Sequence, residues 1–181
     1  VEAGRDLLNT ANLTNYAGTE GGPDYTTVDQ TSQARVTTAG ASVTKTILST
    51  NQSHTTGNNI AIGETAQYQV VVRVAEGTST ATTLVDTLPA GLAFVSLDSI
   101  SASPSLSSSA GTFASILSNA VISNSGAGAA NAGRVATFNF GNLTNADTNN
   151  ATNETITLTY TVVGINGGGN VAGATRANLA A

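Results

Sequence analysis

The sequence predicts an all-β protein. Almost every periodic segment alternates apolar and polar residues with period two and is rich in Thr and Val, as expected of half-buried strands. These short segments follow one another at regular spacing, separated by Gly and Asn turns, and no stretch requires a helix. This pattern is typical of an immunoglobulin-like β-sandwich.

The strands can be placed along the chain from the limits of the alternating segments. We expect them at 7–16, 36–38, 42–49, 66–74, 81–88, 92–100, 134–140 and 154–163, with a further short strand at 116–122.

Three divisions of the chain follow from these placements. Residues 1–16 are interpreted as a terminal strand, 17–41 as a linker that holds the short strand 36–38, and 42–181 as the sandwich. Residues 101–133 form a Ser-, Ala- and Gly-rich insertion that is longer than an ordinary connection.

The alternation also predicts which side chains share a face. One face of the first strand carries Leu7, Asn9, Ala11 and Leu13. The sets expected to point into the core are Val43, Lys45 and Ile47; Tyr68, Val70, Val72 and Val74; Leu84, Asp86 and Leu88; Ala136, Phe138 and Phe140; and Ile156, Leu158, Tyr160 and Val162.

Composition excludes several functions. Only 9% of residues are charged and the net charge is −5, so no basic patch is available for nucleic acid. The chain has no Cys, which excludes disulfides and thiolate metal sites and fits an extracellular bacterial protein. Its single His and the lack of a nucleophile-elbow pattern indicate that it is not an enzyme. No cofactor site is recognisable, and no apolar run is long enough for membrane insertion.

Five segments, in addition, resemble a known family. They are 42–46 (SVTKT), 61–68 (AIGETAQY), 85–92 (VDTLPAGL), 156–160 (ITLTY) and 8–11 (LNTA). Together they resemble the DUF11-type conserved repeat domain of bacterial surface proteins and the related fimbrial domains that form internal isopeptide bonds. The resemblance covers roughly residues 36–165 and 4–16, and the element DTLPAGL is its most specific part. It implies an immunoglobulin-like module strung in tandem on surface fibres or stalks.

The order of these segments departs from the family pattern. In the family the Asn-Thr-Ala strand closes a domain, whereas here Asn9-Thr10-Ala11 comes first. We therefore expect one period of an array, in which residues 5–16 complete the sheet of a neighbouring unit, either within one long polypeptide or by strand addition between identical copies. The alternative is a single chain that folds residues 5–16 back onto its own sheet.

The chemistry of interest lies in Lys45, Asn9 and Asp86, which occupy apolar strand faces. Lys45 is the only lysine of the chain. Burial favours the neutral forms of an amine and a carboxyl. A neutral Lys45 could attack the carboxamide of Asn9, with Asp86 as the acid, to form an isopeptide bond with loss of ammonia. Asn178 is a second candidate acceptor. The competing hypotheses are a buried Lys45–Asp86 ion pair and a Lys45 that extends to solvent.

The function that the sequence predicts is structural. We expect a subunit or repeat of an extracellular bacterial filament, sheath or surface fibre, with copies of itself as partners. The alternative is an adhesin repeat that binds a glycan or another surface ligand. His54 and the segment 147–154, which has oxygens that could hold calcium, are expected to be solvated, and no metal site is predicted.

Overall fold

The structure is a computed structural model that describes residues 5–55, 57–123, 133–149, 151–167, 169–175 and 178–180. The elements that these residues form are β1 (Asp6–Leu13), β2 (Gln30–Thr37), β3 (Ser42–Thr50), β4 (Thr65–Arg73), β5 (Gly77–Thr87), β6 (Leu92–Ala102), β7 (Leu106–Ser108), α1 (Phe113–Ser118), β8 (Val121–Ser123), β9 (Val135–Asn145), β10 (Thr155–Gly164) and β11 (Leu179–Ala180).

Two antiparallel sheets form the body of the protein. The first sheet has the order β3-β4-β10-β6 and the second has the order β11-β5-β9-β7, with β8 also paired to β9. Buried side chains of both sheets belong to one apolar core. The predicted all-β class is confirmed, and the architecture is that of a β-sandwich.

The core follows the alternation of the strands. In β10 every second residue is fully buried, while the intervening Thr side chains lie on the outer face. The largest fully buried apolar side chains are Tyr160, Phe94, Phe138, Phe140, Leu88, Ile156, Leu158, Val70 and Val162. The inward faces expected for residues 68–74, 84–88, 136–140 and 156–162 are therefore found as predicted.

Strands β1 and β2 form a separate two-stranded sheet. β1 pairs in antiparallel register with β2 and, among the residues that the structure describes, with no strand of the sandwich; every residue of both strands is exposed. An ion pair at 2.8 Å joins Arg35 to Asp6 across this hairpin. The segment 17–41, expected to be mainly linker, thus contains an eight-residue strand that begins before the predicted one.

The strand expected at 116–122 is found only at its end, where β8 covers Val121–Ser123, whereas residues 116–118 are helical, so the expectation of a chain without helix is wrong. Residues 113–118 form α1, because Thr112 caps its N-terminus by accepting a hydrogen bond from the Ser115 backbone N–H at 3.1 Å. Ile116 anchors the helix in the core at 3% exposure. The short strands β7 and β8 flank the helix and both pair with β9 of the second sheet, while Phe113, Ile116 and Leu117 of the helix pack against the core.

The turn Leu88–Gly91 is fixed by a distant side chain. Gly91 has a φ of 102°, and the Asn170 amide donates to the carbonyl oxygens of Gly91 and Ile165 at 2.8 and 3.0 Å. This clamp ties Ile165 and Asn170 to the turn that precedes β6.

The outer edge of β5 is only partly paired. β11 covers Thr87 and Asp86, and no other described strand pairs with this edge between Gly77 and Val85. The β5–β9 register shifts on both sides of Thr82, where Ala81 has a φ of 50°. The bulge ends the regular part of the edge, which runs from Thr83 to Thr87.

Because of this clamp, replacing glycine by alanine should lower the free energy of unfolding more at Gly91 than at Gly63. A Cβ at Gly91 would come within 2.2 Å of the Asn170 side chain, whereas a Cβ at Gly63, which also has positive φ (83°), meets nothing within 4 Å. We expect Gly63→Ala to lower the free energy of unfolding by about 1–2 kcal/mol, the cost of positive φ alone. Gly91→Ala should cost about 1–3 kcal/mol more because Asn170 must move. Denaturant unfolding measures both, and equal losses would contradict the clamp.

Candidate functional site

A buried ion pair joins the two sheets. Lys45 lies on β3 of the first sheet and Asp86 on β5 of the second, and Lys45 Nζ lies 2.7 and 2.6 Å from the two carboxylate oxygens. The side chains are 8% and 1% exposed. A pair this deeply buried is retained only when further bonds satisfy its remaining charge.

Two tyrosines complete the surroundings of the pair. The Tyr160 hydroxyl donates a hydrogen bond to Asp86 Oδ2. Lys45 Nζ lies 5.2 Å from the ring centroids of both Tyr68 and Tyr160, a distance at which aromatic rings attract cations. The two rings are stacked, with centroids 5.7 Å apart. The ammonium group is thus held by one carboxylate and two aromatic rings.

Burial changes the proton affinities of this cluster. Desolvation lowers the pKa of Lys45 from 10.5 to about 8, although the Asp86 charge and hydrogen bond act in the opposite direction. Desolvation, followed by the charge of Asp86, raises the pKa values of Tyr160 and Tyr68. A neutral amine is therefore accessible at mildly alkaline pH, while both phenols keep their protons.

Asn178 reaches the same cluster from the second sheet. It immediately precedes β11, and its Nδ2 lies 3.4 Å from the Tyr160 hydroxyl. Its Oδ1 is buried and has no hydrogen-bond partner among the described residues. An unsatisfied buried acceptor costs about 1–3 kcal/mol, so the fit of Asn178 in this site is incomplete.

The other predicted acceptor lies elsewhere in the chain. Asn9 is in the middle of β1, opposite Ala34 of β2, and is exposed. The structure therefore brings together Lys45, Asp86 and Asn178, and within one copy it leaves Asn9 on the hairpin. Sequence reasoning missed Tyr68 and Tyr160 as members of the site, although it predicted that both point inward.

A groove opens beside the cluster between β3 and the segment 169–175. Its volume is about 1040 Å³. Its lining includes Lys45, Tyr68 and Asn178 together with the apolar side chains of Ile47 and Ile60. The groove gives solvent a route toward the ion pair.

The remaining candidates from the sequence, His54 and the segment 147–154, lie apart from this cluster. His54 is exposed in a turn. Asp147 accepts hydrogen bonds from the Thr148 and Asn149 backbone N–H groups and the Thr152 hydroxyl, and Glu154 accepts from Thr152 and Asn145. Across the described ranges, no three His, Asp or Glu side chains are grouped as a metal ion would require.

Comparisons with known proteins return no relative. The chain matches no protein-family profile, and neither the curated proteins nor the solved structures include a significant match to it. Within the described part of the chain, no helix has the length and apolar character needed to cross a membrane.

Removing one partner of the ion pair should lower the free energy of unfolding more than removing both partners. We expect Asp86→Asn to lower the free energy of unfolding by about 3–5 kcal/mol, because it leaves a buried cation without its counter-charge. The double variant Lys45→Met/Asp86→Asn should recover part of that loss, since no unpaired charge remains. Chemical denaturation at pH 7 of the unsubstituted protein, the two single variants Lys45→Met and Asp86→Asn, and the double variant completes a double-mutant cycle. Additive losses would show that the two side chains are not coupled.

The lowered pKa of Lys45 predicts the pH dependence of stability. Between about pH 8 and 10 the unfolded chain holds more protons on this amine than the folded protein does, so the free energy of unfolding should rise with pH in this window. Lys45→Met should remove that rise. The measurement uses protein whose intact mass shows no loss of ammonia, and the same slope in both proteins would exclude Lys45 as its source.

Proposed function

We propose that this chain is a structural subunit of an extracellular bacterial filament or surface fibre, an immunoglobulin-like unit of the DUF11 type. Copies assemble because β1 of one completes the sandwich of the next. The observation that carries this proposal is the combination of an exposed hairpin and an incompletely paired edge of β5 in the same molecule.

The hairpin has one apolar and one polar face. Leu7 pairs across the hairpin with Val36, and these side chains are 43% and 66% exposed. Leu13 lies on the same face of β1 at 51% exposure. Covering a Leu or Val side chain fully is worth about 1.5–3 kcal/mol, so this face favours association with another apolar surface.

An isolated two-stranded hairpin is marginally stable in water. Added to a sheet of a second copy, it gains backbone hydrogen bonds on its free edge and burial of its apolar face, as in other cases of strand addition. The low charge and absence of Cys fit a fibre that works outside the cell, where thiol oxidation would otherwise be a liability.

The cluster around Lys45 gives the unit a means of crosslinking. The neutral Lys45 amine attacks the carboxamide carbon of Asn178, the new amide bond forms between Nζ and Cγ, and the Asn178 nitrogen leaves as ammonia. Asp86 carries the proton that passes from the amine to the leaving group. A crosslink of this kind restricts the unfolded chain as a disulfide does, by about 2–4 kcal/mol in the disulfide case.

Assembly should depend on one face of the hairpin. We expect Leu13→Asp to abolish filaments, because it places a charge on the face that becomes buried. Leu8→Asp is the matched control, since Leu8 is equally exposed (52%) but pairs with Arg35 on the opposite face. Negative-stain microscopy and sedimentation at equal concentration compare the variants with the unmodified chain. Filaments that survive Leu13→Asp, or that are lost equally in both variants, would refute the donor role of this face.

The crosslink has a direct mass signature. Intact protein should lack the mass of one ammonia, and a digest should contain a branched peptide that joins position 45 to position 178. Lys45→Arg keeps the positive charge but should abolish both signals. If the protein without substitutions is unfolded and its Lys45 amine then reacts completely with an amine reagent, no crosslink has formed.

The groove favours one further candidate function, that of an adhesin. Its wall carries Asn58, Thr175 and the Tyr68 ring, groups that suit the hydroxyls and apolar faces of a sugar. The insertion gives less support, because Phe113, its only aromatic residue, packs toward Phe140 with centroids 6.3 Å apart. Glycan-array binding by an assembly-deficient Leu13→Asp protein would favour this function over the structural one.

A further inference from the structure

Two segments of the chain carry the same tripeptide pattern at the same kind of strand position. Asn178-Leu179-Ala180 and Asn9-Thr10-Ala11 both read Asn-X-Ala. In the first, Ala180 lies opposite the buried Asp86 and packs against the core, and Asn178 reaches the Tyr160 hydroxyl. In the second, Asn9 and Ala11 lie on the apolar face of the exposed hairpin.

We propose that β1 of a second copy replaces β11 on β5, with Asn9, Thr10 and Ala11 in the places of Asn178, Leu179 and Ala180. This inference rests on the proposed assembly and specifies its acceptor strand and register. Thr10 of the incoming copy pairs with Thr87, Ala11 with Asp86 and Leu13 with Leu84.

The hydrogen-bonding directions of the two strands agree with this register. The Thr38 N–H donates to the Arg5 carbonyl at 2.9 Å, so the backbone groups of Arg5, and of every second residue after it, point toward β2. Those of Thr10 consequently point to the free edge of β1. On the acceptor, the Leu88 N–H donates to Arg134 beside β9, so the groups of Thr87 point away from β9 and toward the incoming strand.

A shift by one residue fails both requirements. Thr10 would then lie opposite Asp86 or Leu88, whose backbone groups point toward β9 and cannot bond to it. The apolar face of the hairpin would also lie on the solvent side of the sheet. Shifts by two residues keep the direction but lose the match of Ala11 to the position that Ala180 occupies opposite Asp86.

The exchange lengthens the pairing on β5. The segment Leu179–Ala180 pairs with two residues, whereas Asn9–Leu13 would lie opposite the five residues from Leu88 to Leu84. The incoming Leu13 adds an apolar side chain beside Leu84, and β2 follows as the new edge strand. The bulge at Thr82 lies just beyond the end of this stretch.

The replacement also brings a carboxamide to the ion pair from another molecule. Asn178 leaves one buried oxygen unsatisfied in its present place, so its own displacement removes a side chain whose fit is incomplete. In a copy whose Lys45 has not reacted with Asn178, Asn9 in that place would offer the carboxamide instead, and the same reaction would join two copies and release one ammonia.

Disulfide trapping tests the register because the chain contains no Cys. Two variants, Thr10→Cys and Thr87→Cys, each combined with Lys45→Arg so that no crosslink holds β11 in place, are mixed, allowed to assemble and oxidised with a mild thiol oxidant. Directly paired residues have the Cα separation that a disulfide requires, and both positions are exposed. Non-reducing gels and peptide mass spectrometry should show a disulfide joining positions 10 and 87. We expect about a tenfold excess over the mixture of Asn12→Cys and Thr87→Cys, which is offset by two residues on the same face.

Each outcome has a separate meaning. Filaments whose disulfide joins positions 12 and 87 instead, or that give neither, overturn the register but leave the proposed assembly intact. The absence of both filaments and heterotypic disulfides refutes the assembly and this inference with it. A Thr10→Cys/Thr87→Cys double variant that closes within single chains in dilute solution would show that the strand serves its own sandwich, which overturns the inference.

Discussion

The contact between the Lys45 ammonium and the Asp86 carboxylate constrains the rest of this protein. Each charge lies on a strand face that is otherwise apolar, and each comes from a different sheet. Neither could be buried alone without losing its charge or several kcal/mol. The two sheets must therefore meet in one register, with the rings of Tyr68 and Tyr160 closing around the ammonium.

The site and the open edge of the second sheet are parts of one arrangement. Asp86 belongs both to the ion pair and to the short stretch of β5 that β11 covers. Whichever strand lies beside Asp86 also determines which carboxamide approaches the amine of Lys45. Completion of the sheet and access to the chemistry of the cluster are thus governed by the same few residues, and the proposed assembly uses this coincidence.

Much of the sandwich could be predicted from the sequence, because period-two alternation records which side of a strand faces the core. The faces of β4, β9 and β10 were predictable for that reason, as was a partner for Asp86. The helix at 113–118 was not, because its signal is one capping Thr and a single buried Ile within a Ser- and Ala-rich stretch. The tyrosines around Lys45 were assigned to the core correctly, but alternation gives no information on which core residues meet across two sheets. The position of Asn178, immediately before a two-residue strand, depends on tertiary contacts alone.

The bulge near Ala81 has a consequence for how such a molecule avoids unwanted association. A long, straight outer strand invites uncontrolled ribbon growth, in which sheets of many molecules merge side by side. Here the regular edge ends after a few residues and the backbone then twists away through a residue with positive φ. In the proposed assembly, an edge of this length would accept one incoming strand of limited length, because the bulge ends regular pairing along β5 beyond Thr83.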